Sequence, residues 1–171
     1  MPEAREPRGM VHWLVLSIIV FALDWLTKQW ASSALTYGEP VPVVPFFNLT
    51  LLHNTGAAFS FLAGESGWQR WFFVVLAVGI SVMLVVWLAR LPRHDRWMAV
   101  ALSLVLGGAL GNLYDRVLHG YVVDFIHLYY DKYHFPAFNI ADMAITAGAV
   151  MIALDVFRTP GHESKPETGH E

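Results

Sequence analysis

The sequence predicts an all-α membrane protein, with four transmembrane helices and a small strand-rich cap on one side. Three observations support this class. Only 15% of the 171 residues are charged, whereas soluble domains carry about 25%. Hydrophobic residues make up 56% of the chain. They are gathered into runs of about 20 residues, which is the length that a helix needs to cross roughly 30 Å of hydrocarbon.

Four apolar runs set the predicted architecture. The corresponding spans cover about residues 11–33, 68–91, 97–114 and 138–157. Residues 1–157 would then form a single membrane domain, followed by a flexible polar tail at 158–171. A cleaved signal peptide is the competing interpretation of the first run, because the amino end is basic. A signal core has only about 7–15 apolar residues, however, and this run is longer.

The long connection at residues 35–67 is predicted to form the cap. It contains three prolines, followed at 46–53 by partly alternating apolar and polar residues, as in a half-buried strand. Asn54-Thr55-Gly56 is a turn signal, and residues 57–62 are a candidate returning strand. Residues 115–137 form a second long connection on the same side.

Basic residues orient the bundle, because Lys and Arg are enriched on the cytoplasmic side of membrane proteins. Four spans place both termini and the short connection after the second span on one side. That side carries Arg5, Arg8, Arg90, Arg93, Arg96, Arg158 and Lys165. The other side carries only Arg70, Arg116 and Lys132. Both termini are therefore predicted to be cytoplasmic, and both long connections face outward.

Asp24 and Lys28 are ionisable residues inside the first span. Their i,i+4 spacing puts them on one helix face, and charged groups within a membrane usually face the bundle interior because contact with lipid is costly. A structural ion pair is the favoured interpretation. A direct catalytic role for Lys28 would require a nearby nucleophile for it to activate.

A second polar face lies at the outer end of the third span. Asn112, Asp115 and Arg116 share it through i,i+3 and i,i+4 spacing. One interpretation is that Asp115 and Arg116 only cap the helix and anchor it at the headgroups. The other is that the five-donor guanidinium of Arg116 contacts a polar backbone or a carboxylate. Gly108 and Gly111 thin the same helix, which lets another backbone approach closely.

Asp124 and Asp142 are the candidates for catalysis. Asp124 lies in an apolar stretch of the second connection and Asp142 about one turn into the fourth span, so both belong near the outer hydrocarbon boundary. Two carboxylates that share a site do not both ionise easily, and one retains a proton. The neutral acid can polarise a carbonyl while its ionised partner activates water, as in an aspartic protease. A proton or cation pathway would use the same residues.

Other chemistries have little support in the sequence. The chain has no cysteine, which excludes thiolate nucleophiles and Cys-ligated metals. His119, His127 and His134 match no zinc signature, so neither a metal nor another cofactor is predicted. The net charge is -3, and no basic patch indicates a nucleic acid partner.

Taken together, the polar motifs resemble a known family. They are Asp24-Trp25-Leu26-Thr27-Lys28, Asn54-Thr55-Gly56-Ala57-Ala58-Phe59, Gly108 with Gly111-Asn112-Leu113-Tyr114-Asp115-Arg116, Val123-Asp124-Phe125, and Phe138-Asn139-Ile140-Ala141-Asp142. In this order they resemble the lipoprotein signal peptidase family, also called bacterial signal peptidase II. The resemblance runs from the first span to the fourth and does not cover the polar tail.

The resemblance implies roles for individual residues. Asp124 and Asp142 would be the catalytic pair. The residues expected to bind substrate or to support the site are Asn54, Gly56, Gly108, Asn112, Arg116, Asn139, Asp24, Lys28 and Asp115. Within this set, the resemblance gives Asp24, Lys28 and Asp115 a structural role.

The resemblance also implies an activity. Members of the family are aspartyl endopeptidases of the bacterial inner membrane. They remove the signal peptide from prolipoproteins that carry a diacylglyceryl group, cleaving just before the lipidated cysteine, and the cyclic peptide globomycin inhibits them. The expected partners are this substrate and membrane lipid. We expect a monomer that needs no cofactor, with its cap and active site at the periplasmic face. The competing class is a small proton- or ion-coupled transporter, which would place polar residues along a whole path across the bilayer.

Overall fold

The computed structural model describes residues 9–56 and 68–158. A short 3-10 turn, Val11–Trp13, leads into the first of four helices. The helices are α1 (Leu14–Ala34), α2 (Trp68–Arg90), α3 (Arg96–Leu118) and α4 (Ile140–Arg158). The central helix is α3, because it packs against α1, α2 and α4.

Three helical stretches of the described chain are long and apolar enough to cross a membrane. They are Val11–Ala34, Trp68–Arg90 and Arg96–Leu118. Many large apolar side chains of α1 and α2 are exposed, which is the arrangement expected of helices that face lipid. The protein is therefore a helical membrane protein with three candidate spans. The predicted fourth span corresponds to α4, a 19-residue helix, and its passage through the bilayer remains a prediction.

The end of α3 lies beyond the end of the apolar run from which the third span was predicted. The helix continues to Leu118, so that Asp115 and Arg116 lie inside its last turns. It ends where the N–H of His119 bonds to the carbonyl of Asp115 at 2.7 Å and the N–H of Gly120 to that of Arg116 at 3.2 Å. Gly120 has a φ of +83°, the left-handed conformation that commonly closes a helix. Hydropathy therefore predicted where the apolar part of α3 ends, whereas the end of the helix itself is set by backbone hydrogen bonds.

The cap is a four-stranded antiparallel sheet in the order β1-β2-β3-β4. The strands are β1 (Val41–Val44), β2 (Phe47–Asn54), β3 (Val122–Tyr130) and β4 (Tyr133–His134). Only β1 and β2 come from residues 35–67, and the second long connection supplies the other two. The alternating pattern correctly indicated β2. The pattern did not indicate β3, because residues 122–125 are buried in succession and a strand buried on both faces does not alternate.

Two other predicted segments are outside the described residues. They are the candidate returning strand at 57–62 and the tail beyond residue 158.

The apolar core of the bundle lies at the end remote from the sheet, where α2 ends and α3 begins. Its buried members are Met10, Leu84, Leu88, Leu91, Met98, Ala99, Leu102 and Leu106. The amino-terminal segment closes this end, since the N–H of Met10 donates to the carbonyl of Leu88 at 3.1 Å. Apolar packing at one end of α3 thus leaves its other end available for polar groups.

Candidate active site

The sheet end of the bundle carries a cluster of polar side chains from α1, β2, α3, β3 and the start of α4. The polar cluster comprises Asp24, Lys28, Asn54, Asn112, Asp115, Asp124, Asn139 and Asp142. Several of these side chains are fully enclosed: Lys28 is 1% exposed and Asn139 is 0% exposed. Polar groups at this depth are stable only when they bond to one another.

Lys28 holds the cluster together electrostatically. Its ammonium lies 2.7 Å from Asp24 Oδ2 and 2.9 Å from Asp115 Oδ2, and it donates to Asn112 Oδ1 at 3.0 Å. An ammonium has three donors, and three oxygens lie within 3.0 Å of this one. The i,i+4 ion pair expected from the sequence is present, and α3 adds a second carboxylate and an amide to it.

The two carboxylates of this ion pair network also hold the backbone beside each catalytic candidate. Asp24 Oδ1 accepts the N–H of Ala141 at 2.8 Å, and Asp115 Oδ2 accepts the N–H of Val123 at 3.0 Å. These residues immediately precede Asp142 and Asp124 in the chain. The buried charges therefore position both aspartates through the backbone, without touching either carboxyl group.

Asp124 and Asp142 are joined through two asparagine amides. Asn139 Nδ2 donates to Asp124 Oδ1 at 2.7 Å, and Asn112 Nδ2 donates to Asp142 Oδ1 at 2.7 Å. The two amides meet each other, because Asn139 Nδ2 lies 3.3 Å from Asn112 Oδ1. Both acids thus belong to one hydrogen-bonded network, although they come from a strand and a helix that are separated along the chain.

Asn139 positions the start of α4 as well as the carboxyl of Asp124. It is the N-cap residue of that helix, and its Oδ1 accepts the N–H of Asp142 at 2.9 Å. The strand β3 holds it in place, because Phe138 exchanges backbone hydrogen bonds with Ile126 at 3.0 and 2.9 Å. The helix therefore begins at the residue that contacts Asp124.

Asn54 reaches Asp124 from the neighbouring strand. The register pairs Leu52 with Asp124 and Asn54 with Val122, so Asn54 is the diagonal neighbour of Asp124 on the same face. Its Nδ2 donates to Asp124 Oδ2 at 3.0 Å. Its Oδ1 accepts the N–H of Gly56 at 2.9 Å, which fixes the direction of the amide. Both oxygens of Asp124 therefore accept amide donors.

Burial, and after it the nearby charge of Asp142, raises the pKa of Asp124 to about 6. The hydrogen bonds from Asn54 and Asn139 act against this shift, as does the positive charge of Lys28. The side chain is 2% exposed. An acid in this environment retains its proton to higher pH than an ordinary aspartic acid, which suits the proton-donating member of a carboxyl pair.

Arg116 lies at the rim of the cluster, where α2 joins it. Its Nη1 donates to the carbonyl of Asn112 at 3.3 Å, and its guanidinium carbon lies 5.2 Å from the ring centre of Phe73. The same ring covers Gly56, because a Cβ added there would come within 2.6 Å of it. Gly56 also has a φ of +89°. Phe73 therefore links the arginine to the turn that orients Asn54.

Gly108 and Gly111 allow α3 to lie directly against its neighbours at this depth. A Cβ on Gly108 would overlap the carbonyl oxygen of Ala141, and a Cβ on Gly111 would overlap Asp24 Oδ2. Close approach through small residues is the usual way in which membrane helices pack. The two glycines therefore set the separations on which the hydrogen bonds of Asp24 and Asp142 depend.

Comparison with known proteins places this arrangement in a family. Residues 16–158 match the family described as signal peptidase (SPase) II. Proteins named lipoprotein signal peptidase are similar over nearly their whole length. One from Pseudomonas putida is 55% identical over 166 residues, covering 95% of this chain and 97% of the relative. One from Acinetobacter baumannii is 52% identical over 164 residues, covering 92% and 93%.

The chain belongs to the signal peptidase II family. Two solved structures agree with this membership, and both have titles that describe a bacterial membrane enzyme studied by the in meso method. The first has a TM-score of 0.79 at 33% identity, covering 92% of this chain and all of the other. The second has a TM-score of 0.80 at 32% identity, covering 97% and 100%. The resemblance inferred from the five motifs is confirmed, and the transporter alternative is not favoured.

Membership of the signal peptidase II family makes the protein a peptidase, as predicted. The roles of individual residues remain predictions, although all of the predicted site residues lie in or beside the polar cluster. The sequence did not indicate Phe73, which is one of many aromatic residues in α2. It also did not indicate the backbone N–H groups of Val123 and Ala141. The only feature of the sequence that could have indicated Val123 and Ala141 is their position immediately before the two aspartates.

Proposed function

We propose that the protein cleaves diacylglyceryl-modified prolipoproteins just before the lipidated cysteine, using Asp124 and Asp142 as the catalytic pair. The single observation that supports this assignment is the amide network that joins the two carboxyl groups. Asn139 and Asn112 contact one acid each and also contact each other. No other pair of carboxyl groups in the described chain combines this link with access to the surface, since Asp142 is only half-buried.

In the first step, the two acids share one proton, which resides on the more deeply buried Asp124. The carboxylate of Asp142 removes a proton from a water molecule, and the water oxygen attacks the carbonyl carbon of the scissile peptide bond. Asp124 donates its proton to the carbonyl oxygen at the same time. The product is a neutral tetrahedral diol, formed without a covalent enzyme adduct.

In the second step, the diol collapses and the peptide C–N bond breaks. Asp142, now protonated, donates its proton to the leaving amine of the lipidated cysteine. Asp124 takes back a proton from one hydroxyl group as the new carboxylic acid forms. Both acids return to their starting states, so each cycle consumes one water molecule per peptide bond cleaved and needs no cofactor.

An apolar groove beside Asp142 is suited to binding the lipid of a lipid-bearing substrate. The groove has a volume of about 570 Å³ and is lined by Phe138, Met143, Thr146 and other residues of the α4 region. An acyl chain in this groove would bring the attached cysteine towards the carboxyl of Asp142. Holding the substrate by its lipid would explain why the site lies at the end of the bundle, where water is available.

We also propose a membrane location, an orientation and an assembly state for the protein. All four helices cross the bacterial inner membrane, both termini are cytoplasmic, and the sheet and the site face the periplasm. The enzyme acts as a monomer in contact with membrane lipid, and globomycin inhibits it. The excess of Lys and Arg at the end remote from the sheet supports this orientation.

The direct test replaces each acid by its amide. Purified Asp124→Asn and Asp142→Asn should each cleave a lipidated precursor at least about 10²-fold more slowly, since general acid–base groups contribute about 10²–10⁴-fold. Asp131→Asn is the matched control, because Asp131 is an exposed turn residue with a φ of +53° that asparagine adopts readily. Near-normal turnover by either site variant, with the control also active, would reject the catalytic pair.

A further inference from the structure

The end of the bundle remote from the aspartates has a polar cavity that peptide cleavage does not use. It has a volume of about 480 Å³ and is lined by Gly9, Met10, His12, Trp13, Arg93 and Arg96. Small-molecule sites have volumes of about 300–1,000 Å³. The cavity therefore has room for a phosphate with a small attached alcohol.

The lining of this cavity includes hydrogen-bond donors and two positive charges. The two arginines contribute planar guanidinium forks, which match the oxygens of a phosphate. Trp13 also lines the cavity, and its buried indole Nε1 has no acceptor within the described chain. The nearest acid in sequence is Asp95, and its Oδ1 accepts the N–H of Met98 at 3.1 Å as the N-cap of α3. The wall of the cavity is thus complementary to an anion.

A second groove, which is apolar, lies further along the first helix. It has a volume of about 440 Å³ and is lined by Leu14, Ser17, Ile18 and residues of α2 and α3, including Val85 and Val86. Leu14 follows Trp13 directly. The adjoining surface of α1 is also apolar and open, since Val11 is 50% exposed and Val15 is 60% exposed. A polar ligand in the cavity would therefore have a path for a hydrocarbon chain beside it.

We propose that this cavity and groove together bind one anionic phospholipid, with the phosphate between Arg93 and Arg96 and an acyl chain against Leu14 and Ile18. The identity of the leaflet rests on the proposed topology, which places this end at the cytoplasmic face. Basic pockets between helices on that face are suited to anionic headgroups. A free phosphate would use the cavity but not the groove.

The test measures lipid retention by the full-length protein in detergent, using native mass spectrometry with phosphatidylglycerol, phosphatidylcholine and glycerol phosphate. Wild type should retain one phosphatidylglycerol in preference to phosphatidylcholine. The double variant Arg93→Gln/Arg96→Gln should bind it about tenfold or more weakly, because each basic residue beside an anionic headgroup contributes about fivefold. Arg90→Gln is the control, since it removes an exposed arginine at the same end that does not line the cavity.

Each outcome distinguishes the proposal from an alternative. Equal retention by all three proteins would overturn it, as would an equal loss in Arg90→Gln, which would indicate unspecific attraction. If phosphatidylcholine bound equally well, the site would not be selective for an anion. If glycerol phosphate displaced phosphatidylglycerol at similar concentrations, the acyl chain would not contribute to binding, and the ligand would not be a lipid. Peptidase activity should change less than about twofold in every variant. Lipid binding is measured separately, so a failure of the proposed catalytic pair would not affect the result.

Discussion

At the scale of single residues, the important feature is a buried lysine with three oxygen partners at the sheet end of the bundle. A buried charge is tolerated only when it is paired and hydrogen-bonded. Lys28 meets this condition through Asp24, Asp115 and Asn112. The same acids hold the N–H groups of the residues before Asp124 and Asp142. We therefore propose that Lys28 is a positioning residue, whose loss should affect stability and activity together.

Replacing Lys28 by methionine leaves Asp24 and Asp115 buried without a counter-charge. We expect the free energy of unfolding to fall by about 3–5 kcal/mol, measured by thermal unfolding in detergent. Lys132→Met is the control, because Lys132 is exposed, and it should change stability by less than about 0.5 kcal/mol. Adding Asp24→Asn and Asp115→Asn to Lys28→Met should restore part of the loss. An undiminished melting temperature in Lys28→Met would contradict the proposed role of the ion pairs.

The raised pKa of Asp124 leads to a pH prediction. Burial favours its protonated form, with a pKa of about 6, and the proposed catalytic pair would be active while it holds one proton. We therefore expect kcat/KM to fall as the pH rises through about 6 and both acids ionise. The hydrogen bond from Asn54 favours the ionised form, so Asn54→Ala should move this falling limb to higher pH by about one unit.

The control for this shift is Thr55→Ala, which alters an exposed residue of the same turn. It should leave the falling limb where it is in wild type. A movement of the limb to lower pH in Asn54→Ala would contradict the assigned hydrogen bond. The raised pKa of Asp124 also makes the free energy of unfolding depend on pH. The contribution of Asp124 to folding is fully present below its ordinary pKa near 4 and is lost as the pH rises through about 6.

At the scale of elements, the site depends on how closely α3 and α4 approach. Gly108 lies against the backbone carbonyl of Ala141, and Gly148 of α4 lies against the backbone of α3, where a Cβ would come within 2.6 Å of the carbonyl of Ala101. Two such contacts, at separate points along the helices, set the distance between them. The hydrogen bond from Asn112 to Asp142 crosses this interface at 2.7 Å, so small changes in the separation should affect it directly.

Gly108→Ala tests the dependence on this approach. The added methyl group would meet the backbone carbonyl of Ala141 as well as the side chain of Ile145, and a backbone obstacle requires α4 to move. We expect a loss of about 1–3 kcal/mol in stability and about 10²-fold in peptidase activity, because displacements near 1 Å have that effect on catalysis. Gly79→Ala is the control, since nothing lies within 4 Å of its Cβ position. Full activity in Gly108→Ala would show that the helix separation is not critical.

At the scale of the whole molecule, the polar and apolar parts of the core lie at opposite ends of the bundle. Apolar residues such as Leu88 and Leu102 fill the end where α2 meets α3, and the buried charges lie at the end beside the sheet. An enzyme that meets its substrate and water at one face of a membrane requires polarity only at that face. A transport path would require it along the whole length.

The proposed topology can be tested by cysteine labelling, because the natural chain has no cysteine to remove. Single cysteines at Glu39 and Asp131, both exposed in the sheet region, should react with an impermeant thiol reagent in cells whose outer membrane has been permeabilised. Cysteines at Arg90 and Phe157 should react only after the inner membrane is also opened. Phe157 is 84% exposed near the end of α4, so its labelling from outside would contradict a fourth span.

The sequence by itself determined the class of the protein and its family. Apolar runs near 20 residues specify membrane helices because the bilayer thickness is fixed, and ionisable residues within such runs indicate function because their burial is costly. The five motifs then identified the signal peptidase II family. Helical spacing also correctly gave the pairing of Asp24 with Lys28, since residues four apart share one face.

Only the tertiary structure decided which groups meet across different elements. It showed that β3 completes the sheet and that its register places Asn54 beside Asp124. It also showed that Phe73 covers the turn at Gly56. Local patterns report which face a residue occupies within its own helix or strand. Contacts between elements depend on packing and on backbone hydrogen bonds that no side-chain pattern encodes, and those contacts set the geometry of the site.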